Sequence, residues 1–324
     1  MHNNYLVIMA GGVGSRFWPL STAQKPKQFL DVLNVGQTLL QQTVERFSGC
    51  CPASNVFVVT SAHYRNLVQE QLPHLPPSQL LLEPCMRNTA PCIAYAVWKI
   101  KKRNPLANIV GSPSDHLVLN PSKFRDIVNQ CLHFTAENEA LLTLGIEPHK
   151  PETGYGYIKQ EPQPVGHGAI RKVEAFKEKP HVELARQYLA DGNYFWNSGI
   201  FIWSVAAIEQ GIRSYMPELA SLFDSLDAQL DTPEEWAAIE AAFPLCPNIS
   251  IDYGLLERAP NIYVYPSEFG WCDLGTWGSL HEQSAQSAEG NVLKGRIRTF
   301  ETRNSIVRID TDRQVVVQGL DGYI

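Results

Sequence analysis

The feature that most constrains this chain is an apolar segment followed at once by a cluster of glycines. Residues 5–10 read YLVIMA, which has the length and the flanks of a buried strand, and Gly11, Gly12 and Gly14 come directly after it. Because glycine lacks a Cβ atom, a loop here can bring backbone N–H groups close to phosphate oxygens. The segment predicts a strand that leads into an anion-binding loop, although a plain strand-to-helix connection would use similar glycines.

Positive charge follows this loop at short range, on Arg16, Lys25 and Lys27. Three cations beside a glycine loop favour an anionic ligand. Two common phosphate loops do not fit, because G-x-G-x-x-G requires a glycine where Phe17 stands, and the G-x-x-x-x-G-K-[ST] pattern is absent. The sequence therefore argues against the nucleotide-binding folds that carry those two motifs.

Composition excludes several classes of protein. With 324 residues and 44% apolar content, the chain can bury one large core and a small appendage. A net charge of −6 argues against a nucleic-acid-binding surface. The seven cysteines are irregularly spaced and form neither a disulfide framework nor a zinc pattern. Because no signal segment or apolar membrane run is found, we expect a cytoplasmic protein that contacts no membrane.

Strand-like and helix-like segments alternate through the first half of the chain. The predicted strands are residues 5–10, 56–60, 80–83, 108–111 and 140–144, and the predicted helices between them are residues 38–47, 64–72, 90–102 and 122–136. This alternation predicts an α/β fold, with a Rossmann-like, mostly parallel sheet flanked by helices. In such sheets, ligands bind beyond the carboxyl ends of the strands.

Polar residues follow two of these predicted strands. Asn88 and Thr89 come shortly after the strand at residues 80–83, and a helix cap explains them as well as a ligand contact does. Asp115 follows the strand at residues 108–111. A carboxylate at that position could bind Mg²⁺, which prefers oxygen ligands, or it could be a turn residue.

The residues of the glycine loop and those that follow it carry a family resemblance. The run AGGVGSRFWPLS (residues 10–21) with PKQFL (residues 26–30) resembles the N-terminal motif of the sugar nucleotidyltransferases, in particular of the branch that transfers guanylyl groups to mannose 1-phosphate. Further motifs occur in the family's order, including FKEKP at residues 176–180 and FGWCDLGTW at residues 269–277. The resemblance covers roughly residues 5–285.

This resemblance implies a reaction and its partners. We expect transfer of GMP from GTP to mannose 1-phosphate, giving GDP-mannose and pyrophosphate by Mg²⁺-assisted in-line attack on the α-phosphorus. A thymidylyl- or uridylyltransferase acting on glucose 1-phosphate is the nearer alternative, and a non-catalytic subunit that senses nucleotide sugars is the more distant one. GTP and mannose 1-phosphate are the expected partners, and a homodimer is considered.

The resemblance also implies roles for individual residues. Phosphate contacts are expected from Arg16 and Lys27, and Lys25 lies outside the part of the motif that carries a role. The residues implied in nucleotide binding are Gly11, Gly12, Gly14, Glu83, Asn88, Thr89 and Ala90. Those implied in sugar binding are Gly156, Glu178 and Asn197. Lys179 is expected to bind the sugar phosphate, while Asp115 and Asp273 are expected to share one Mg²⁺.

Three further expectations concern organisation and local conformation. The catalytic domain is expected at residues 1–286, and residues 287–324 are expected to form a small β segment that is truncated or unusually short. Because Pro180 follows it, Lys179 is expected to have an extended backbone. Residues 250–257 (SIDYGLLE) resemble a family segment that begins a helix near the sugar site, and within it Asp252 is interpreted as a charge at the N-terminus of the helix.

Overall fold

The computed structural model describes residues 2–12, 17–166 and 168–324. The predicted ligand contacts Gly14 and Arg16 lie outside these described residues. The strands are β1 (Asn4–Met9), β2 (Val56–Ser61), β3 (Leu80–Glu83), β4 (Asn108–Pro113), β5 (Leu117–Val118), β6 (Leu141–Ile146), β7 (Tyr157–Pro164), β8 (Arg171–Lys177), β9 (Tyr194–Ser204), β10 (Ile262–Ser267), β11 (Trp271–Cys272), β12 (Val292–Lys294), β13 (Ile297–Phe300), β14 (Ile306–Arg308) and β15 (Val315–Gln318). The α-helices are α1 (Leu39–Arg46), α2 (Arg65–Gln71), α3 (Thr89–Arg103), α4 (Pro121–Glu137), α5 (Val182–Asp191), α6 (Val205–Tyr215), α7 (Pro217–Ser225), α8 (Glu235–Ala242) and α9 (Trp277–Gln283).

A large mixed sheet forms the centre of the molecule, in the order β3-β2-β1-β4-β9-β6-β10-β8-β7. Strands β3, β2, β1 and β4 are parallel to one another, and so are β6 and β10. The intervening β9 runs antiparallel to both β4 and β6. The predicted α/β fold with a mostly parallel sheet is therefore confirmed. Because β9 is reversed, its N-terminal half lies beside the carboxyl ends of its neighbours.

Both faces of the sheet are covered. Alternate residues of β1 point to opposite sides, so that Tyr5 and Val7 pack in one core with α3, while Leu6 and Ile8 pack in another with α4. A strand that is buried on both faces reads as a continuous apolar run, which explains the sequence of residues 5–10.

Strand β9 connects the two halves of the sheet. Its C-terminal part pairs with β4, where Trp203 lies opposite Ile109, and its N-terminal part pairs with β7, where Phe195 lies opposite Ile158. The pairing with β6 is irregular between Thr143 and Gly145. A Cβ atom at Gly145 would lie 2.9 Å from Cβ of Phe195, so glycine allows β6 and β9 to pack closely at this irregularity.

The C-terminal strands pair in parallel, β12 with β14 and β13 with β15, as expected for a small β segment after residue 286. Residues 205–243 contain three helices, α6 to α8, and α7 begins at Pro217. Among the described residues, no helix is both long and apolar enough to cross a membrane.

Candidate active site

A short two-stranded ribbon places Asp115 and Asp273 near each other. Strand β5 pairs antiparallel with β11, and Leu117 lies opposite Cys272. Asp115 lies two residues before Leu117, and Asp273 directly follows Cys272. Continuing this register therefore brings the two carboxylates, which are far apart in the sequence, to the same end of the ribbon.

The ammonium of Lys27 lies between these two segments. Its Nζ is 2.9 Å from Oδ2 of Asp115, and it donates hydrogen bonds to the backbone carbonyls of Asp273 at 2.8 Å and Leu274 at 3.0 Å. An ammonium has three N–H groups, so these protein oxygens use its full donor capacity. Burial alone would raise the pKa of the Asp115 carboxyl, but Lys27 and then His116 outweigh burial and hold that pKa below its usual value.

Asp273 belongs to a tight turn. Its Oδ1 accepts a hydrogen bond from the N–H of Gly275 at 2.9 Å, and the intervening Leu274 has a left-handed φ of +46°. A Cβ atom at residue 275 would lie 2.6 Å from Oδ2 of Asp273, so the turn requires glycine. Burial and then the Asp273 carboxylate raise the pKa of Tyr155, whose hydroxyl interacts with that carboxylate. Asp273 is thus partly satisfied by its own turn.

A cavity of about 240 Å³ lies beside Asp273 and His116. Its walls contain all of the residues that the sequence assigned to the sugar and its phosphate, together with Asp273: Gly156, Glu178, Lys179 and Asn197. Three of these come from the loop before β7 and the turn after β8, and Asn197 comes from the N-terminal half of β9. The structure therefore brings the predicted sugar residues together next to one predicted metal ligand.

Glu178 and Lys179 form an ion pair at the rim of the cavity. Oε1 of Glu178 lies 2.7 Å from Nζ of Lys179, and the side chain of Glu178 is 6% exposed whereas that of Lys179 is 54% exposed. Oε2 of Glu178 is buried without a partner among the described residues. A Cβ atom at Gly156 would lie 2.5 Å from this oxygen, so glycine is required for the close approach.

The expectation of an extended backbone at Lys179 is wrong, because its φ is +46°. Its backbone N–H donates to the carbonyl of Tyr155 at 3.2 Å, and its ammonium is paired with Glu178. The long-range hydrogen bond to Tyr155 and the ion pair with the neighbouring Glu178 hold the residue in a conformation that costs roughly 1–3 kcal/mol locally. The local preference imposed by Pro180 is therefore overridden.

A third acid of the cavity wall, Asp252, was interpreted from sequence as a helix charge in a segment that resembles one near the family's sugar site. It begins a π-helix, Asp252–Leu256, and its Oδ1 accepts a hydrogen bond from Nδ2 of Asn197 at 2.8 Å. The orientation of that amide is fixed because Oδ1 of Asn197 accepts from the hydroxyl of Thr143 and from the N–H of Gly199. Asp252 is therefore a cavity residue as well as a helix charge.

The glycine loop packs against a buried acid and a buried amide. Nε2 of Gln28 donates hydrogen bonds to the backbone carbonyls of Ala10 and Gly12. Gln28, which belongs to the PKQFL segment, thereby holds the start of the glycine loop in place. A Cβ atom at Gly11 would lie 3.1 Å from Oε2 of Glu83, while one at Gly12 would meet no described atom within 4 Å. Burial raises the pKa of Glu83 to about 7, and Oε1 of Glu83 is buried without a partner among the described residues.

The remaining predicted base contacts have structural partners. Asn88 caps α3 through its own side chain, which accepts from the N–H of Thr89. The hydroxyl of Thr89 accepts from the N–H of Ile251, and the N–H of Ala90 donates to the carbonyl of Ile249. Asn88 is exposed, and Ala90 is buried in the core. The segment after β3 is thus bound to the segment that leads into Asp252.

Comparison with known proteins identifies the family. The sequence profile described as nucleotidyl transferase matches residues 5–290. The chain belongs to the nucleotidyl transferase family. It is 38% identical over 310 residues to the mannose-1-phosphate guanylyltransferase of Escherichia coli K12. The match covers 94% of this chain and 64% of that relative, so the chain spans slightly less than two thirds of the relative's length. It is 34% identical to mannose-1-phosphate guanylyltransferase 2 of Escherichia coli O157:H7, covering 98% of this chain and 69% of that relative.

A solved structure from Thermus thermophilus, named as a mannose-1-phosphate geranyltransferase, superimposes with a TM-score of 0.86. It is 32% identical to this chain, and the match covers 99% of this chain and 91% of the other. The family resemblance drawn from the motifs is therefore confirmed, as is the nucleotidyltransferase fold.

Several residues of this nucleotidyl transferase site were missed by sequence reasoning. Nε1–H of Trp271 donates to Nδ1 of His116 at 3.2 Å, so the remaining imidazole proton is on Nε2. Burial lowers the pKa of His116 to about 4, and the ring is neutral at neutral pH. Tyr155 packs edge-on against Trp271. Each of these residues lies within or next to a motif identified in the sequence. That position was the signal from which a place in the site could have been inferred.

Proposed function

We propose that this nucleotidyl transferase transfers GMP from GTP to mannose 1-phosphate, giving GDP-mannose and pyrophosphate. The observation that carries the proposal is the cavity in which Lys179, Glu178 and Asn197 lie together with Asp273. That cavity joins a polar subsite suited to a phosphorylated sugar to Asp273, one of the two proposed metal ligands. The names of the relatives support mannose and guanine as the substrate groups.

The nucleotide subsite is proposed at the end of β1. The triphosphate would lie over Gly11 and Gly12, where the space beside Gly12 is open, with Gly14, Arg16 and Lys27 as further contacts. Because Lys27 has three protein acceptors, it would exchange one of them for a phosphate oxygen. Phosphoryl-type transfers depend mainly on such positioning and charge neutralisation.

Glu83 is proposed to select guanine. The Watson–Crick edge of guanine presents two adjacent donors, N1–H and the N2 amino group, and an ionised carboxylate accepts from both. Uracil and thymine present a single donor between two acceptors, which an amide would suit better. Asn88, Thr89 and Ala90 would complete the base subsite through the backbone after β3. Glu83→Gln is then expected to reduce the use of GTP by about tenfold relative to UTP.

Lys179 is proposed to bring up the nucleophile. Burial alone would lower its pKa, but the Glu178 carboxylate outweighs burial and the net pKa is raised, so the ammonium is charged at neutral pH. It can bind the anionic sugar phosphate, which the triphosphate would otherwise repel. No general base is required, because a sugar phosphate is already ionised. Gly156, Glu178 and Asn197 would orient the hexose so that its phosphate oxygen attacks the α-phosphorus in line.

Asp115 and Asp273 are proposed to hold one Mg²⁺. The donor set fits, because both groups are carboxylates and Lys27 shows that this position already accommodates positive charge. The described residues contain no cluster of three or more His, Cys, Asp or Glu, so only these two carboxylates are proposed as protein ligands. A bound Mg²⁺ would stabilise negative charge on the phosphates. We also propose that residues 1–286 form the catalytic unit and residues 287–324 a separate β segment.

A panel of nucleotides and sugar phosphates tests the proposal. GTP, UTP, dTTP and ATP are each combined with mannose 1-phosphate or glucose 1-phosphate and Mg²⁺, and pyrophosphate release is measured. GTP with mannose 1-phosphate is expected to give the highest kcat/KM. A preference for dTTP or UTP with glucose 1-phosphate would replace the proposed substrates, and absence of turnover with every pair would refute the activity.

A further inference from the structure

Helix α1 carries a buried positive charge that the nucleotidyl transfer derived above does not use. Arg46, in the last turn of the helix, is 4% exposed. Burial lowers its pKa to about 10, although the nearby Asp115 carboxylate acts in the opposite direction, so the guanidinium is charged at neutral pH. A buried charge costs free energy unless its surroundings compensate for it. The contacts of Arg46 show what the charge is used for.

These contacts converge on the segment that contains Asp115. Nη2 of Arg46 donates a hydrogen bond to the backbone carbonyl of His116. One turn earlier in α1, the buried Oγ1 of Thr43 lies 3.2 Å from the backbone carbonyl oxygen of Ser114. The carbonyls on both sides of Asp115 are therefore held by side chains of one helix.

Helix α1 is itself anchored to the segment of Lys27. The helix begins with a capping box at Thr38, and the N–H of Leu39 donates to the carbonyl of Leu30 at 3.2 Å. The N–H of Leu30 in turn donates to the carbonyl of Lys27 at 3.0 Å. Helix α1 is thus connected to both members of the ion pair between Lys27 and Asp115.

Stability alone would not favour an arginine at residue 46. Nη1 of Arg46 is buried without a partner among the described residues, and its Nε is 3.4 Å from the carbonyl oxygen of Gln42. A buried donor without a partner carries a free-energy cost, and replacing a buried charge by apolar groups is often neutral or stabilising. A role in the site accounts for a charged donor at this position.

We propose that Arg46 is a positioning residue for Asp115, the proposed metal ligand. Through the carbonyl of His116, and together with Thr43, it fixes the backbone from which the carboxylate projects. Its charge stays beside the acid when Lys27 exchanges a protein oxygen for a phosphate oxygen. This inference rests on the proposed function. Groups that orient the ligands of a metal ion typically change its affinity by roughly 10- to 100-fold when they are removed.

The dependence of activity on Mg²⁺ tests the inference. Pyrophosphate release by wild type, Arg46→Gln and Arg46→Lys is measured over a range of free Mg²⁺ concentrations, with GTP and mannose 1-phosphate saturating. Arg46→Gln should raise the Mg²⁺ concentration for half-maximal activity by about tenfold. Arg46→Lys keeps the charge but loses the planar fork, and should raise it by about threefold. The KM for mannose 1-phosphate should change less than twofold in both variants.

Metal binding without turnover provides a second measurement, which a purely structural role of Arg46 would not change. Mn²⁺ is titrated into enzyme that holds one equivalent of a GTP analogue with a methylene group between the α- and β-phosphorus atoms. Electron paramagnetic resonance follows the bound Mn²⁺. Arg46→Gln should weaken Mn²⁺ binding to this complex by about tenfold. Thr43→Val removes only the hydroxyl beside the carbonyl of Ser114, and should weaken it by about threefold.

The matched control is Arg125→Gln. Arg125 and Arg46 line the same cavity of about 250 Å³ between α1 and α4, but in the described part of the chain Arg125 forms no hydrogen bond or ion pair with residues 114–116. This variant should reproduce the wild-type Mg²⁺ dependence. Thermal unfolding shows which variants are folded, and Arg46→Lys and Thr43→Val decide the question if Arg46→Gln is not.

Two results would overturn the inference. One is an unchanged Mg²⁺ dependence and Mn²⁺ affinity in every folded variant of Arg46 and Thr43. The other is an equal shift in Arg125→Gln, which would attribute the effect to the loss of positive charge alone. Failure of the proposed function is seen separately, because wild type itself would then release no pyrophosphate. In that case the Mn²⁺ titration still compares the variants, and equal affinities would refute the positioning role.

Discussion

The two lysines of the site have opposite environments. Lys27 has a side chain that is 6% exposed and three protein acceptors, whereas Lys179 is 54% exposed and has one carboxylate partner. Lys27 begins a short 3-10 helix, Lys27–Phe29, and connects it to the Asp273 turn across most of the sequence. Burial and the number of partners indicate that Lys27 supports the folded structure as well as the proposed chemistry, while Lys179 is available to a ligand.

This difference has a general lesson for charged residues in such sites. Removing one member of a buried ion pair leaves the other charge without a partner, so the folded state is destabilised. Removing a half-exposed lysine leaves its partner accessible to water, and stability changes little. Activity and stability measurements on the same variants can therefore separate the two roles.

The largest effect is expected at the carboxylates beside Lys27. Asp115→Asn combined with Asp273→Asn should reduce kcat by about 10³-fold or more, because the proposed Mg²⁺ would lose its ligands. Pyrophosphate release measures turnover, and wild type treated with EDTA should show a comparable loss. Turnover of the double variant within tenfold of wild type would exclude the metal assignment.

A smaller loss is expected on the sugar side. Lys179→Met should raise the KM for mannose 1-phosphate by about 100-fold, because it truncates a charge-assisted contact with the phosphate. The dissociation constant for GTP, measured by calorimetry, should change less than threefold. Equal losses for both substrates would show that Lys179 does not distinguish the two subsites.

For stability, in contrast to sugar-phosphate binding, the larger loss is expected at Lys27 and the smaller one at Lys179. Lys27→Met should lower the free energy of unfolding by about 2 kcal/mol, less than for a fully buried pair because Asp115 is about a third exposed. Lys179→Met serves as the matched variant and should change it by less than about 0.5 kcal/mol. Urea unfolding gives both values, and similar losses for the two variants would remove the distinction between the lysines.

Each of the two proposed subsites also contains a buried acid with a raised pKa. These acids are Glu83 near the glycine loop and Asp252 in the cavity beside Asp273. An acid whose folded-state pKa is raised binds more protons in the folded protein, so its contribution to stability decreases from its unfolded pKa up to its folded pKa. For Glu83 that window runs from 4.5 to about 7. Relative to Glu83→Gln, wild type should lose about 2–3 kcal/mol of unfolding free energy between pH 5 and pH 8.

Urea unfolding of wild type and Glu83→Gln at the two pH values provides this difference, and the contribution of Asp252 cancels because both proteins contain it. A difference that does not vary with pH would mean that Glu83 titrates normally.

Local elements were predictable from the sequence, whereas long-range relations were not. Strand β3 begins and ends where predicted, because its apolar run is short and bounded by turn residues. The direction of β9 has no such signal, since apolar patterning is the same for parallel and antiparallel strands buried on both faces. The family resemblance named the residues that we propose to bind the sugar, and in the structure these residues line one cavity.

The contacts of these residues required coordinates. Nothing in the local sequence indicates that Lys27 pairs with Asp115 or that Lys179 is left-handed, because both depend on segments distant in the chain. The resemblance placed the segment of Asp252 near the sugar site, but the hydrogen bond from Asn197 to Asp252 could not be predicted, since Asn197 lies on another element.

The continuity of β9 limits how this molecule can respond to its substrates. One strand is hydrogen-bonded to β4 in one half of the sheet and to β7 in the other, so the backbone itself sets the spacing between the two proposed subsites. A hinge through the sheet would have to break these ladders. We therefore expect closure around bound substrates to come from the loops at the rim, while the sheet beneath the two proposed subsites keeps its arrangement.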